Sequence, residues 1–316
     1  MKRFIISLQF LLVCVGLLIV AACSNVSGAD APNSPNFLFI FVDDQSWSVT
    51  SVAMMPGKDF SRTPAFHMPN LERIAAQGMI FSQAYASHPK CECSRAALLM
   101  GRSTTSLNAV EKSARNWNAP PSDSLANTLK RANASYGAAH FGKWQWPQTP
   151  ESMGYDASDG ITMNTYIIYM SDNGGGTQVL KGGKALVDEG GLRVPLIVNG
   201  PSVQSGTYCD EPAVGYDILS TVLDFAVPGF VLPNGVEGGS WKTVLMNAGT
   251  GKIQRPIDRL VFHHDVDVPH PQTAMLKGNL KLLHYWDTKE SFLYELSIDL
   301  SEQNNLAAAK PAVVAK

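Results

Sequence analysis

FLFIFVDD, residues 37–44, is six apolar residues in a row that stop at two aspartates. Such a run lacks the alternation of a strand with one wet face, so it predicts a strand buried on both faces, as in a parallel sheet. A second run of this kind, TYIIYM at 165–170, ends in Ser171-Asp172-Asn173-Gly174. In an open parallel sheet, ligands gather beyond the carboxyl ends of the strands. Two such strands, each ending in carboxylate or amide oxygens, predict that Asp43, Asp44, Asp172 and Asn173 converge. Hard oxygen donors suit Ca²⁺ or Mg²⁺ better than a transition metal. Either pair alone reads as residues that start loops and cap helices; the two together favour a metal site.

Working outward, residues 69–77 (PNLERIAAQ) place Leu71 and Ile74 on one helical face, with Gly78 as the expected C-cap. MIFSQAYAS (79–87) returns as a strand, and strand, helix, strand is the unit of an α/β fold. Residues 124–132 (SLANTLKRA) predict a second helix, YGAAHF (136–141) a short strand, LRVPLIV (192–198) another, and YDILSTVLDFA (216–226) a helix. From Arg259 the texture changes. LVFHHDV, AMLKGNLKLLHYW and SFLYELS are strand-like runs joined by turns such as Lys277-Gly278-Asn279, which predicts a small antiparallel sheet. The expected architecture is α/β: a mostly parallel central sheet flanked by helices, with a small C-terminal antiparallel subdomain.

The chain opens with Lys2 and Arg3 followed by an apolar run to Val20, the layout of an export signal. Val20-Ala21-Ala22-Cys23 resembles a bacterial lipobox, in which cleavage leaves Cys23 as a lipid-modified N-terminus. The alternatives are an ordinary signal peptide cut nearby or an uncleaved anchor. Residues 1–22 are thus read as a lipoprotein-type signal, 23–35 (small, polar, turn-rich) as a flexible tether, 36–255 as the main α/β domain and 256–316 as the C-terminal subdomain. The expected location is the periplasm or cell surface, with membrane attachment only through the lipid. A formal net charge of −2 and the lack of a basic block give nucleic-acid binding no support.

Beyond Cys14 and Cys23, three cysteines remain: Cys91, Cys93 and Cys209. Three do not make a disulfide framework, and a Cys91–Cys93 bridge would close a strained, very small ring. No further Cys or His stands nearby at zinc-ligand spacing. Cys91 directly precedes a helical pattern, SRAALLMG, so it lies where free backbone N–H groups and the helix dipole favour an anion. Arg95 offers a planar cationic fork for an oxyanion. Lys143 and Lys184 follow glycines, in FGKW and KGGK, where backbone can approach a ligand closely. Any one lysine reads as a solvated charge, but a cation-rich pocket beside a divalent metal is what a sulfate or phosphate ester requires.

With these residues in view, the chain resembles the type I sulfatases of the alkaline-phosphatase-like superfamily. PNFLFIFVDDQ resembles the family's opening strand and MPNLERIAAQGMIFSQAYA its first helix and strand. CECSRAALLMGR resembles the cysteine-x-proline-x-arginine signature. FGKWQW, MSDNGG and LKGGKALVDEGGLRVPLIV match later blocks in order, and LKGNLKLLHYW with LYELSIDLSEQNNLA resembles the C-terminal subdomain. The resemblance implies that Cys91 is converted to formylglycine during export by a formylglycine-generating enzyme. A hydroxyl of the hydrated aldehyde then attacks sulfur, the alcohol leaves, and the second hydroxyl expels sulfate and regenerates the aldehyde. It implies one Ca²⁺ held by Asp43, Asp44, Asp172 and Asn173, with Arg95 steadying the hydrated aldehyde and Lys143 and Lys184 binding the oxygens of a sulfate-ester substrate.

The sequence departs from the family pattern at three places. Cys93 stands where the signature has proline, the position the modifying enzyme reads. Gln145 stands where the GKW block ends in histidine; an amide hydrogen-bonds but shuttles no proton. The stretch near 156–165 is short, and the histidine that the family carries there has no counterpart; His263, His264 and His270 lie in the C-terminal region. The implied function is sulfuric ester hydrolysis. Its rivals are a catalytically impaired lipoprotein that binds sulfated glycans and a phosphoesterase of the wider superfamily.

Overall fold

Strand β1 (Asn36–Val42) lies parallel to β4 (Thr165–Ser171), in register from Asn36 beside Thr165 to Val42 beside Ser171. These belong to a five-stranded sheet of order β1-β4-β5-β2-β6, completed by β5 (Leu196–Asn199), β2 (Met79–Phe81) and β6 (Thr207–Cys209). β5 runs antiparallel to both β4 and β2, while β6 is parallel to β2. Four of the five strands therefore point the same way, and the sheet is mixed but mostly parallel. The structure, a computed structural model, describes residues 34–108, 119–146, 148–156, 164–176 and 179–315. The expected signal peptide, Cys23, most of the tether and most of the short stretch near 156–165 lie outside the described residues.

The helices form where the apolar spacing predicts them. Helix α1 (Pro69–Ala76) starts with proline at its first turn, where the missing N–H costs nothing, and buries Leu71 and Ala75. After α2 (Cys91–Met100), Gly101 takes the left-handed conformation (φ 62°) that closes a helix without a Cβ clash. Short α3 (Thr104–Leu107) is capped by Ser103, whose hydroxyl accepts from Ser106 N–H. Helix α4 (Leu125–Ala132) precedes β4, and α5 (Glu189–Leu192) precedes β5. Helix α6 (Asp217–Ala226) buries Ile218, Leu219, Val222 and Leu223, and α7 (Lys242–Met246) and α8 (Pro311–Val314) are short. The C-terminal region folds as the expected antiparallel meander: β8 (Leu260–His264), β9 (Gln272–Lys277), β10 (Leu280–Tyr285) and β11 (Ser291–Glu295), with Gly278 (φ 57°) in the tight turn. Its inward residues, among them Leu260, Phe262, Ala274 and Leu283, share one buried cluster with Leu192, Val194 and Ile218 of the main domain.

Four expectations are corrected. β1 is half-buried along its whole length, because it is the edge strand and has one strand neighbour among the described residues. Gly78 is not a left-handed cap; a Cβ there would stand 2.3 Å from the Val198 carbonyl oxygen, so it is needed for close backbone approach. Residues 79–87 form two short strands rather than one, with β3 (Ala84–Tyr85) pairing β7 (Ala213–Val214) in a separate two-stranded sheet. Residues 136–141 form no strand. They include glycine and two alanines but no β-branched residue, and Phe141 projects into solvent.

A buried ionic cluster joins the C-terminal sheet to α5. Glu189 accepts from Arg193 Nε at 2.6 Å and Lys281 Nζ at 2.9 Å, and Lys281 also lies 3.0 Å from Glu302. Glu302 in turn accepts the Glu189 N–H at 2.8 Å. Burial, reinforced by the Glu189 charge and opposed by Lys281, pushes Glu302 from the ordinary 4.5 up to about 7. A carboxyl that binds its proton more tightly when folded stabilises the fold fully below pH 4.5, and that contribution is lost as pH rises through about 7. Glu302→Gln should therefore remove a downward slope of stability between pH 5 and 8, worth about 3 kcal/mol at most. Paired denaturant melts across that range check it: identical slopes in the two proteins would contradict the assignment.

Candidate active site

The parallel register of β1 and β4 brings Val42 beside Ser171, so Asp43-Asp44 and Asp172-Asn173 leave the sheet side by side. Backbone and side chain lock the two turns together. Asp172 N–H donates to the Val42 carbonyl at 3.1 Å, Asp44 N–H to Asp172 Oδ1 at 3.1 Å, and Gln45 N–H to Ser171 Oγ at 2.9 Å. Asn173 Nδ2 donates to Asp44 Oδ1 at 2.7 Å. The quartet expected from the sequence is one cluster.

Helix α2 enters this cluster at its N-terminus. Cys91 is its first residue, and the Cys91 sulfur and one oxygen each of Asp43 and Asp44 lie within 4.8 Å of one another. Arg95, one turn on, donates from Nε to Asp172 Oδ2 at 2.8 Å and from Nη2 to Asp43 Oδ1 at 3.2 Å. Its guanidinium also stacks 4.9 Å over the Phe41 ring. Lys143 Nζ sits 2.9 and 3.1 Å from the two Asp43 oxygens, and Lys184 Nζ 2.7 and 2.6 Å from those of Asp44. Both amines also reach the Cys91 side chain. All eight residues singled out from the sequence therefore meet at one place.

Three carboxylates face three cations here, and burial decides how protons divide among them. Asp172 is fully buried, and burial pushes it up to about 6 against the pull of Arg95. Asp43 is only partly covered. Burial raises it, but the bonds from Lys143 and Asp172 and the charges of Lys143 and Arg95 outweigh that and bring it down to about 2. Burial lowers Lys143 and Lys184, yet their contacts with Asp43, Asp44 and Cys91 win and both hold their protons more tightly than a free lysine. The donor set fits a hard divalent cation. Among the described residues Asn173 Oδ1 is buried with no hydrogen-bond partner, an orphaned acceptor that a cation would satisfy, and carboxylate oxygens of Asp43 and Asp44 lie close by with the Cys91 sulfur.

The glycines of the later motifs serve close backbone approach. A Cβ on Gly174 would lie 2.0 Å from the Gly190 carbonyl oxygen, and one on Gly191 2.0 Å from that of Leu186. The segments carrying Asn173, Lys184 and Glu189 are thereby stacked backbone on backbone. Of His263, His264 and His270, His264 reaches this stack, its Nδ1 2.7 Å from the Ala185 carbonyl. His263 bonds Thr273 and His270 bonds Asp287 instead. Buried His88, held neutral because burial and His264 bring it down to about 3, packs edge-on against His264 with ring centroids 4.8 Å apart.

Residues 35–160 match the protein family described as Sulfatase. The N-acetylgalactosamine-6-sulfatase of Sus scrofa is 34% identical over 146 residues, 43% of this chain and 26% of that protein. The N-acetylglucosamine-6-O-sulfatase of Bacteroides thetaiotaomicron is 29% identical over 157 residues, 45% of this chain and 26% of that protein. A solved structure in complex with its substrate, D-glucosamine-2-N,6-O-disulfate, superposes with a TM-score of 0.72 at 15% identity, covering 90% of this chain and 96% of that one. The fold is that of this solved structure, and residues 35–160 carry the likeness to the sulfatases. The chain spans about a quarter of the length of these curated relatives.

Arg95 is the counter-charge of a carboxylate with no solvent, so Arg95→Met should cost about 3 kcal/mol of stability by leaving Asp172 unpaired. Adding Asp172→Asn to that variant should recover part of the loss. Thermal melts of the two variants and the parent read both effects; an unchanged midpoint for Arg95→Met would refute the pairing.

Proposed function

We propose that the protein is a sulfuric ester hydrolase that works through a formylglycine derived from Cys91, with Ca²⁺ held by Asp43, Asp44, Asp172 and Asn173. The observation that carries this reading is the placing of the Cys91 sulfur against Asp43 and Asp44, at a helix N-terminus and between two lysines. Bound Ca²⁺ would supply Lewis-acid polarisation of the sulfate oxygens. The chain's own residues do the rest. Arg95, fixed by Asp172 and Asp43, orients the group at position 91, one helical turn away. Lys143 and Lys184 are free to swing from their carboxylates onto the sulfate, where positive charge stabilises the oxygens of the transition state.

The relatives named above act on 6-sulfated amino sugars by their names, so a sulfated glycan is the natural ester to expect. Gln145 cannot deliver a proton to a leaving alkoxide, and the two lysines release theirs reluctantly. An aryl sulfate, whose leaving oxygen is stable without a proton, is therefore the ester this site is best able to cleave. The same glutamine and Cys93 favour a second reading, an impaired sulfatase-like lipoprotein that binds sulfated glycans. Either way we place the protein outside the cytoplasm, anchored through Cys23, with a formylglycine-generating enzyme as its maturation partner.

Mass spectrometry of the peptide over 88–102, from a host that carries the modifying enzyme, should find Cys91 as the aldehyde. The same preparation should hydrolyse an aryl sulfate in the presence of Ca²⁺, and Cys91→Ala should abolish this. Cys93 lies in the first turn of α2, where proline is tolerated, so Cys93→Pro should raise the aldehyde fraction. A thiol throughout, with no hydrolysis, would favour the glycan binder. No gain in aldehyde from Cys93→Pro would remove position 93 as the cause.

A further inference from the structure

Every strand of the C-terminal sheet sends one inward-facing polar side chain to the segment 181–189, which carries Lys184. From β8, His264 Nδ1 meets the Ala185 carbonyl at 2.7 Å, and because a carbonyl only accepts, that nitrogen carries the proton. From β9, Gln272 Oε1 accepts the Val187 N–H at 2.9 Å. From β10, Lys281 Nζ donates to Glu189 at 2.9 Å. From β11, Tyr294 OH accepts from Lys181 Nζ at 3.1 Å. All four side chains are at most 2% exposed.

The segment needs such support. Gly182 and Gly183 precede Lys184, and glycine loses more backbone freedom on ordering than any other residue. Ala185, directly after the lysine, is held at φ 74°, a left-handed conformation that a side chain disfavours and that persists only where the surroundings impose it. The imposing bonds fall on the same residue: its N–H donates to the Pro89 carbonyl at 2.9 Å, two residues before Cys91, and its carbonyl takes the His264 proton.

We propose that the C-terminal sheet is a positioning template for Lys184, with His264, Gln272, Lys281 and Tyr294 holding the 181–189 segment so that the amine stands on Asp44 beside Cys91. The subdomain thus sets the geometry of a group in the candidate active site from behind, without touching an ester. The catalytic consequence rests on the sulfatase reading above; the holding itself does not.

Hydrogen exchange followed by mass spectrometry on the full chain tests it. His264→Ala should speed exchange of residues 181–192 by about tenfold or more, while residues 36–42 and 91–100 keep the parent rate. His264→Asn, which keeps an N–H donor near the Nδ1 position, should restore most of the protection. If His264→Ala does not fold, Gln272→Ala, which deletes a single acceptor to Val187, takes its place. For a parent chain that cleaves aryl sulfate, Lys184→Met should lower the rate by no more in the His264→Ala background than His264→Ala does alone. Unchanged exchange at 181–192, or acceleration spread equally over the chain, would overturn the proposal. A parent without sulfatase activity would sink the functional reading and leave the exchange result to stand by itself.

Discussion

The site depends on one neutralised meeting of charges: the Arg95 guanidinium between the carboxylates of Asp43 and Asp172. Strands β1 and β4 could not bring three carboxylates together at the end of a sheet, one of them without solvent, unless a cation stood among them. Arg95 does this from α2, so the same two bonds fix the helix against both strands. Cys91 and Arg95 are four residues apart and share a face of that helix. Anchoring the arginine therefore anchors the cysteine, and the position of Cys91 follows from an ion pair rather than from packing around the thiol.

A second constraint is the close stacking of three glycine-bearing turns. Gly174 against Gly190 and Gly191 against Leu186 leave no room for a Cβ, which brings the Lys184 segment within reach of Asp44. Polar groups of the C-terminal sheet then fill the far side of that stack. The C-terminal sheet and the central α/β region share one buried cluster, so the two are packed as one body.

Much of this was legible in the residues. FLFIFVDD and TYIIYMSDN announced strands ending in oxygen donors, and the 3.6-residue spacing in 69–77 and 216–226 gave helices with Leu71 and Ile218 inside. Direction and burial were not legible: LRVPLIV reads as a strand, but nothing in it says that β5 runs against its neighbours, and an unbroken apolar run does not reveal that β1 is an edge. The strand expected at 136–141 does not form, because apolar character without β-branched residues is a weak strand signal. The contacts of the C-terminal sheet with 181–189 have a signal in the sequence. His264, Gln272 and Lys281 fall on the inward register of strands whose other inward residues are Phe262, Ala274 and Leu283, and a polar residue on a core face must have a partner.

Glutamine at 145, where the resemblance expects histidine, offers an amide that cannot release a proton. Binding an anion needs only fixed positive charge, and Arg95, Lys143 and Lys184 supply that whether or not a proton can move. Cleaving an ester with a basic leaving oxygen needs a group that gives up a proton near neutral pH. Lys143 and Lys184 are drawn the other way, because the carboxylates that hold them in place also make their protons harder to release. The contacts that build the pocket thus work against general acid catalysis by its own lysines. On the proposed reading, a chain that keeps these contacts and has glutamine at 145 would still bind sulfate, while its rate would depend on how well the leaving group can bear negative charge.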